Sequence, residues 1–255
     1  MAAVFYLQVR QILGDRRLVL LALFLCLPIL LSGAVRWGSG FAPHADPEAK
    51  ELGVAIFLFL LYPQVMCELL SLLFAGSLVS AEVDGQTLTY LFTRPVPKWR
   101  ILAGKYAACC ATLAPPVVAS LVVSWLVLDA AGGLRLLFAM CLGVCASLVA
   151  YAAVFVFIGV VVPGRAIAVG LLCAMFEFIL SYVPAVLNNL TVTYYLRSLV
   201  ARTLGTPVPV EMQRMVGAAS FPLACAALAA ITLVALAAAS WIVHQTEFVV
   251  ARSDP

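Results

Sequence analysis

Six long apolar runs, near residues 18–35, 53–79, 106–128, 134–162, 166–187 and 219–243, constrain this 255-residue chain more than any motif in it. Each is long enough, as a helix, to cross a hydrocarbon core of about 30 Å. Inside lipid every backbone N–H and C=O must be satisfied without water, which leaves helices or closed barrels. Strict alternation of apolar and polar residues is absent, so a membrane barrel does not fit. Composition agrees: 65% of residues are hydrophobic, 11% are charged and mean hydropathy is +1.11, outside the range of soluble domains. The expected fold class is an all-α integral membrane protein of six transmembrane helices, a single domain over residues 1–255. No internal repeat, low-complexity tract or second soluble domain interrupts it.

Ahead of the first run, Phe5, Val9, Ile12 and Leu13 recur at helical spacing opposite Gln8, Gln11 and Asp15. Residues 1–17 read as an interfacial helix lying on the membrane, the alternative being a simple extension of the first span into water. The first run lacks a cleavable small-residue site and is expected to stay in the mature protein. Basic residues set the orientation. With the N-terminus inside, Arg10, Arg16, Arg17, Arg94, Lys98, Arg100, Lys105, Arg165 and Arg252 are cytoplasmic, and Arg36, Lys50, Arg135, Arg197, Arg202 and Arg214 are external. Both termini are then expected in the cytoplasm. The net charge of +3 is small and spread over loops and ends, which suits membrane orientation and not nucleic-acid binding.

The cysteines Cys26, Cys67, Cys109, Cys110, Cys141, Cys145, Cys173 and Cys225 all fall inside the proposed spans, against a disulfide framework and in keeping with small packing residues. Met66–Cys67 or Met140–Cys141–Cys145 offer a soft-metal path for Cu(I) as the rival reading. His44 and His244 fall on opposite sides of the membrane. Catalytic signatures are missing: Gly104–Lys105 has no upstream glycine to make a phosphate loop, the WGSG around Ser39 has no partner base, and HExxH does not occur. The chain is expected to be neither an enzyme nor a holder of metal or cofactor.

Between the second and third runs lies the one polar segment suited to a partner, Glu82 to Lys105, reading EVDGQTLTYLFTRPVPKWRILAGK. A short helix from about residue 80 to 92 would start with acids near its positive end and present Leu88, Leu91 and Phe92 as an apolar edge. Glu82, Asp84, Gly85, Thr87 and Leu88, followed by Arg94, Pro95, Val96, Arg100, Gly104 and Lys105, resemble the pattern of type-2 ABC transporter permeases. That pattern is an acidic pair, Gly-Thr-Leu, then Pro-Val, a basic residue and Gly-Lys opening the third span. The match is strongest over about 25 residues, and the six-span layout extends it over the chain. Asp84 stands where Glu is usual, and Pro97 where Ser is frequent before the basic residue.

The resemblance implies a permease subunit, an exporter in the bacterial inner membrane, with residues 80–105 as a cytoplasmic coupling loop and 188–218 as an external gate region. It implies a second copy or a homologue to complete the pathway. It also implies a separate ATPase subunit carrying ATP and Mg, gripped through Glu82, Asp84, Gly85, Thr87, Leu88, Arg94, Pro95 and Arg100. Lys98 and Arg100 suit lipid headgroups equally well.

Two acids fall within apolar runs, where an unpaired charge is costly. Glu68 and Glu177 either line a substrate path, bind a cation, or pair simply to hold helices together. Pro63, Pro115–Pro116, Pro184 and Pro222 are expected to interrupt helices. The 188–218 segment is alternatively an amphipathic helix lying at the interface. From other functional classes, an ATP-independent ion or metal carrier using Glu68 and Glu177, and an integral-membrane maturation factor or lipid-modifying enzyme, stand as alternatives.

Overall fold

The computed structural model describes residues 17–39, 47–78, 98–129, 132–181, 188–189, 191–204 and 219–245. Among these the chain is helical, with no strand, and six helices are long and apolar enough to cross a membrane: Val19–Gly38, Lys50–Ala75, Trp99–Val127, Gly133–Val161, Pro163–Leu180 and Phe221–Gln245. The elements are α1 (Arg17–Ser39), α2 (Pro47–Phe59), a π-helical segment (Leu60–Met66), α3 (Cys67–Ala75), α4 (Lys98–Val127), α5 (Gly133–Val161), α6 (Ala166–Leu180), α7 (Val192–Leu204) and α8 (Phe221–Gln245). Below, the lower end of the bundle is the one at which α1 starts and α3 and α5 stop.

α5 is the axis of the bundle, packing against α3, α4, α6, α7 and α8. Its inward residues Met140, Val144, Leu148, Tyr151 and Phe155 are fully buried. Small residues let neighbours approach it, as is usual where lipid supplies no hydrophobic drive between helices. A Cβ on Gly159 would lie 2.6 Å from the Gly76 carbonyl oxygen, and one on Gly143 would lie 2.8 Å from Val200 Cγ2. These contacts set α5 parallel to α3 and antiparallel to α7.

Trp37 at the top of α1 and Trp99 and Trp241 at the lower ends of α4 and α8 are exposed, where an indole has one face in hydrocarbon and its N–H near water. At the upper rim Asp129 takes a left-handed backbone (φ 61°) and pairs with Arg36 at 2.7 Å, while Arg36 also donates to the Val127 carbonyl at 3.0 Å. That contact ties the top of α1 to the top of α4.

The second span is one continuous helix with a changed pitch at its middle. Pro63 has no N–H to donate, and the strain of placing it mid-helix is relieved by widening the turn. The Cys67 N–H accordingly reaches the Tyr62 carbonyl five residues back. Pro115 and Pro116 behave otherwise: α4 runs on as α-helix through both. Pro222 opens α8 and does not break it, Pro28 lies inside α1, and Pro184 is outside the described residues.

Three sequence-based placements move. The third span starts at Lys98, so Lys98, Arg100, Gly104 and Lys105 are the first two turns of α4 and not loop. Nothing breaks the helical hydrogen bonding of KWRILAGK, and Lys105 is buried. The helix of the fifth span is described from Ala166 to Leu180, with 182–187 outside the described residues, so Glu177 lies in the last turn of α6 and not midway along it. Residues 192–204, expected at an external surface, form a helix that buries Val192, Thr193, Leu196, Ser198, Leu199 and Val200 against α5 and α8. An amphipathic helix lying flat at the interface does not fit that burial. Residues 1–16 and 79–97, where the interfacial and coupling helices are expected, lie outside the described residues, as do 205–218 of the external region.

Candidate functional site

α6 belongs to the shortest of the six membrane-length helices, its 15 residues rising about 22 Å, and α7 adds 13 residues, about 20 Å, to the same ascent. They share the work. α6 rises from the lower end and stops at Leu180, and α7 begins beside its last turn and climbs the upper half of α5 to Leu204. Three contacts fix this register: Tyr151 with Thr193, Gly143 with Val200, and Arg135 Nε donating to the Thr203 carbonyl at 3.2 Å. The fifth crossing is thus divided between α6 and α7, whose facing ends, Leu180 and Val192, lie at the level of Tyr151 on α5. Broken spans are where membrane proteins place polar ligands, because helix ends there expose backbone groups inside the bilayer.

Glu177 meets that exposed end. Its Oε1 accepts from the Thr193 backbone N–H at 3.1 Å, the Thr193 hydroxyl at 3.3 Å and the Tyr151 hydroxyl at 3.0 Å. The carboxylate therefore caps the positive N-terminal end of α7, an arrangement the helix dipole favours. Tyr151 and Thr193 hydroxyls are also 2.9 Å apart, closing a triangle. Four residues further up α6, Ser181 holds the start of a second tier. Arg197 donates to the Ser181 carbonyl at 3.0 Å, to the Ser181 hydroxyl at 3.3 Å and to Gln64 Oε1 at 3.3 Å. Gln64 Nε2 donates to the same hydroxyl at 3.3 Å.

Gln64 belongs to the π segment, and the widened turn decides which way its neighbours face. Tyr62 points to α4, where its hydroxyl sits 2.9 Å from Ser120 Oγ and 2.7 Å from Ser124 Oγ. Ser120 in turn donates to the Leu25 carbonyl of α1 at 2.9 Å. Gln64 points the other way, to α6 and α7. One turn below it Glu68 is buried, 6% exposed, and Ser71 below that is fully buried. Glu68 lies within electrostatic reach of Glu177 and Tyr151. The second, fourth and fifth spans thus converge on one polar centre inside an apolar bundle.

The two acids singled out from sequence, Glu68 and Glu177, are brought to this centre from different helices. Arg100 is not part of it: it is exposed on the first turn of α4, with its guanidinium carbon 5.4 Å from the centroid of the Trp99 ring. Glu82, Asp84, Gly85, Thr87, Leu88, Arg94 and Pro95 lie outside the described residues. Sequence reasoning missed Tyr62, Tyr151, Ser71, Ser181 and Thr193 as members of polar networks, and placed Arg197 in an external segment. The signal available was Gln64, Glu68 and Ser71, polar residues spaced four and three apart on one face of an otherwise apolar helix.

Among the described residues no group of three or more His, Cys, Asp or Glu side chains gathers as a metal site, and the described cysteines are free thiols. Cys67, half of one soft-metal pair expected above, turns its sulfur to the Val144 carbonyl at 3.9 Å. Comparison with protein-family models, curated proteins and solved structures finds no match for the chain.

Proposed function

We propose that this chain is the membrane-spanning permease subunit of an ATP-driven transporter, an exporter whose ATP and Mg are held by a separate ATPase subunit docked under residues 80–105. One observation carries the reading: the second span joins the proposed handle to the polar centre. Its lower end leads directly into the Glu82–Lys105 segment, and Gln64, Glu68 and Ser71 lie on it one to four turns above. α3 is nine residues of unbroken helix seated on α5 by the Gly76–Gly159 contact, so a push on the segment is passed upward as a rigid movement. The π segment is where such a movement is absorbed, since a widened turn is a site of changed pitch and frequently of function.

The rest of the reading follows from size and charge. Six spans around a filled axis enclose little free volume, so a pathway needs a second copy or a homologue beside this one. Glu82 and Asp84 face the ATPase, Leu88 docks with it, and Arg94 and Arg100 meet acidic residues of that subunit or anionic lipid heads. Both termini lie in the cytoplasm and the protein resides in the bacterial inner membrane. ATP-driven closure of the ATPases displaces the handles and shifts the bundle between two states that bind substrate differently.

Affinity purification of the full-length chain from its own cells tests this. An ATPase subunit is expected to copurify, and Glu82→Lys with Asp84→Lys is expected to abolish both that association and ATP-dependent transport in reconstituted vesicles while leaving the folded yield unchanged. Association and transport untouched by the double substitution would contradict the reading. Transport that persists without ATP and falls with Glu177→Gln would favour the carrier alternative.

A further inference from the structure

Two oxygens on one face of α3 have no hydrogen-bond partner: Glu68 Oε1 and Ser71 Oγ. Both residues are more than nine-tenths buried, at 6% and 0% exposure. Spaced three apart on a helix, they are neighbours on its surface. A buried oxygen left without a partner costs about 1–3 kcal/mol, and a buried carboxylate more, so such a pair in a native protein calls for an occupant.

The surrounding charges narrow what that occupant is. Glu177 on α6 acts on Glu68 as a like charge, and both carboxylates act on Tyr151 of α5. The cation of the cluster, Arg197 on α7, is engaged one tier above by Ser181 and Gln64. Among the described residues no hydrogen bond or ion pair joins a cation to Glu68, and two carboxylates within electrostatic reach of each other are expensive at this depth. A water would satisfy the two oxygens and leave the charge. A proton on Glu68, with a water on Ser71 Oγ, is the rival occupant, and the salt titration below separates it from a metal cation. A single desolvated monovalent cation satisfies the oxygens and offsets the charge, and carboxylate and hydroxyl oxygens select hard cations, while the nearby Cys67 sulfur is turned away to α5.

We infer that Glu68 and Ser71 of α3, with Glu177 of α6 opposite, form a binding site for one small monovalent metal cation of the sodium or potassium class. The cation offsets the carboxylate charge at the polar centre and fastens the second span to the divided fifth. The site is a property of the bundle and stands independently of any ATPase partner.

Thermal unfolding of the purified full-length chain in nanodiscs, titrated with sodium, potassium or N-methylglucamine chloride at constant ionic strength, reads the site directly. A ligand that binds the native state alone raises Tm saturably. Sodium or potassium is expected to do so and N-methylglucamine is not. Glu68→Gln is expected to abolish the rise, and Ser71→Ala to raise the half-saturating concentration roughly tenfold, as for the loss of one ligand. Should Glu68→Gln fail to fold, Ser71→Ala decides. Equal Tm in all three salts would overturn the inference, as would stabilisation by acid alone, which marks a proton site. A rise undiminished in the folded variants would place the cation elsewhere and overturn it too. Loss of ATP-dependent transport with the cation response intact would count against the permease reading only.

Discussion

The second and fourth spans are far more buried than the first and sixth. Apolarity does not account for it, since of the buried pair the second is less apolar than the first and sixth and the fourth more apolar. In their most apolar stretches, 61% of the second and fourth is buried inside the bundle, against 17% of the first and sixth. Yet the fourth has a hydropathy of 2.6 and the first and sixth 2.3 each, so the most hydrophobic helix of the four is a central one. Lipid is as apolar as leucine, and hydrophobicity therefore does not sort helices into centre and rim. What sorts them is where backbones can touch and where polar groups find partners. Gly143 and Gly159 are on α5, and Tyr62, Gln64, Glu68 and Ser71 are on the second span. The rim helices turn Leu23, Leu30, Leu223, Leu233 and Val234 outward.

Substitutions at matched positions break or sharpen this contrast. The largest effect is expected at glycine. Gly159→Leu drives a side chain into the Gly76 backbone, which cannot yield as a side-chain tip can, and is expected to cost about 3 kcal/mol or the fold itself. Gly33→Leu on α1, where a Cβ meets nothing within 4 Å, is expected to be silent. Thermal-shift yields of the two variants side by side check it, and equal losses would erase the distinction between centre and rim.

Next in size, Glu177→Leu strips the acceptor from the Tyr151 hydroxyl and from the Thr193 N–H and hydroxyl, for an expected loss of about 2 kcal/mol in unfolding experiments. Glu177→Gln keeps an acceptor oxygen and is expected to recover most of it. Smaller again, Tyr62→Phe removes the hydroxyl that bridges Ser120 and Ser124, at about 1 kcal/mol, since hydrogen bonds within membranes average well below their nominal strength. Smallest, Leu223→Ala and Val234→Ala on the lipid-facing side of α8 are expected to stay within about 0.5 kcal/mol of the parent. A loss above 1 kcal/mol at either position would show that this face is covered by another chain.

The spans were legible because length and apolarity are local properties. Four of the six apolar runs coincide with helices to within about a turn of the expected ends, the second with a proline-centred change of pitch that Pro63 announced, and the third gains two turns at its start. Glu177 read as midway along the fifth because Tyr182, Val183, Val186 and Leu187 continue that run's hydropathy past Leu180, the last residue of α6. Arg197 read as an external residue for the related reason that α7 is amphipathic, and sequence does not say whether its polar face meets water or Glu177. The two acids stood out at once, since charge is rare in such runs. Their partners did not: serine, threonine and tyrosine are ordinary in membrane helices, and only tertiary placement separates Tyr151 at the polar centre from Tyr106, which donates to the Val149 carbonyl at 2.8 Å.

On the permease reading, a movement imposed on the lower end of the second span reaches the polar centre where α6 gives way to α7. Ser181 reports on it, being 2% exposed and bonded to both Gln64 and Arg197. The decisive measurement is the reaction rate of Ser181→Cys, in a background with the native cysteines replaced, toward a water-soluble thiol reagent in vesicles, with the copurified ATPase and with or without ATP. The rate is expected to change at least several-fold when ATP is added, and no longer to change once Glu82→Lys and Asp84→Lys are introduced. A thiol equally unreactive in every condition would contradict that reading.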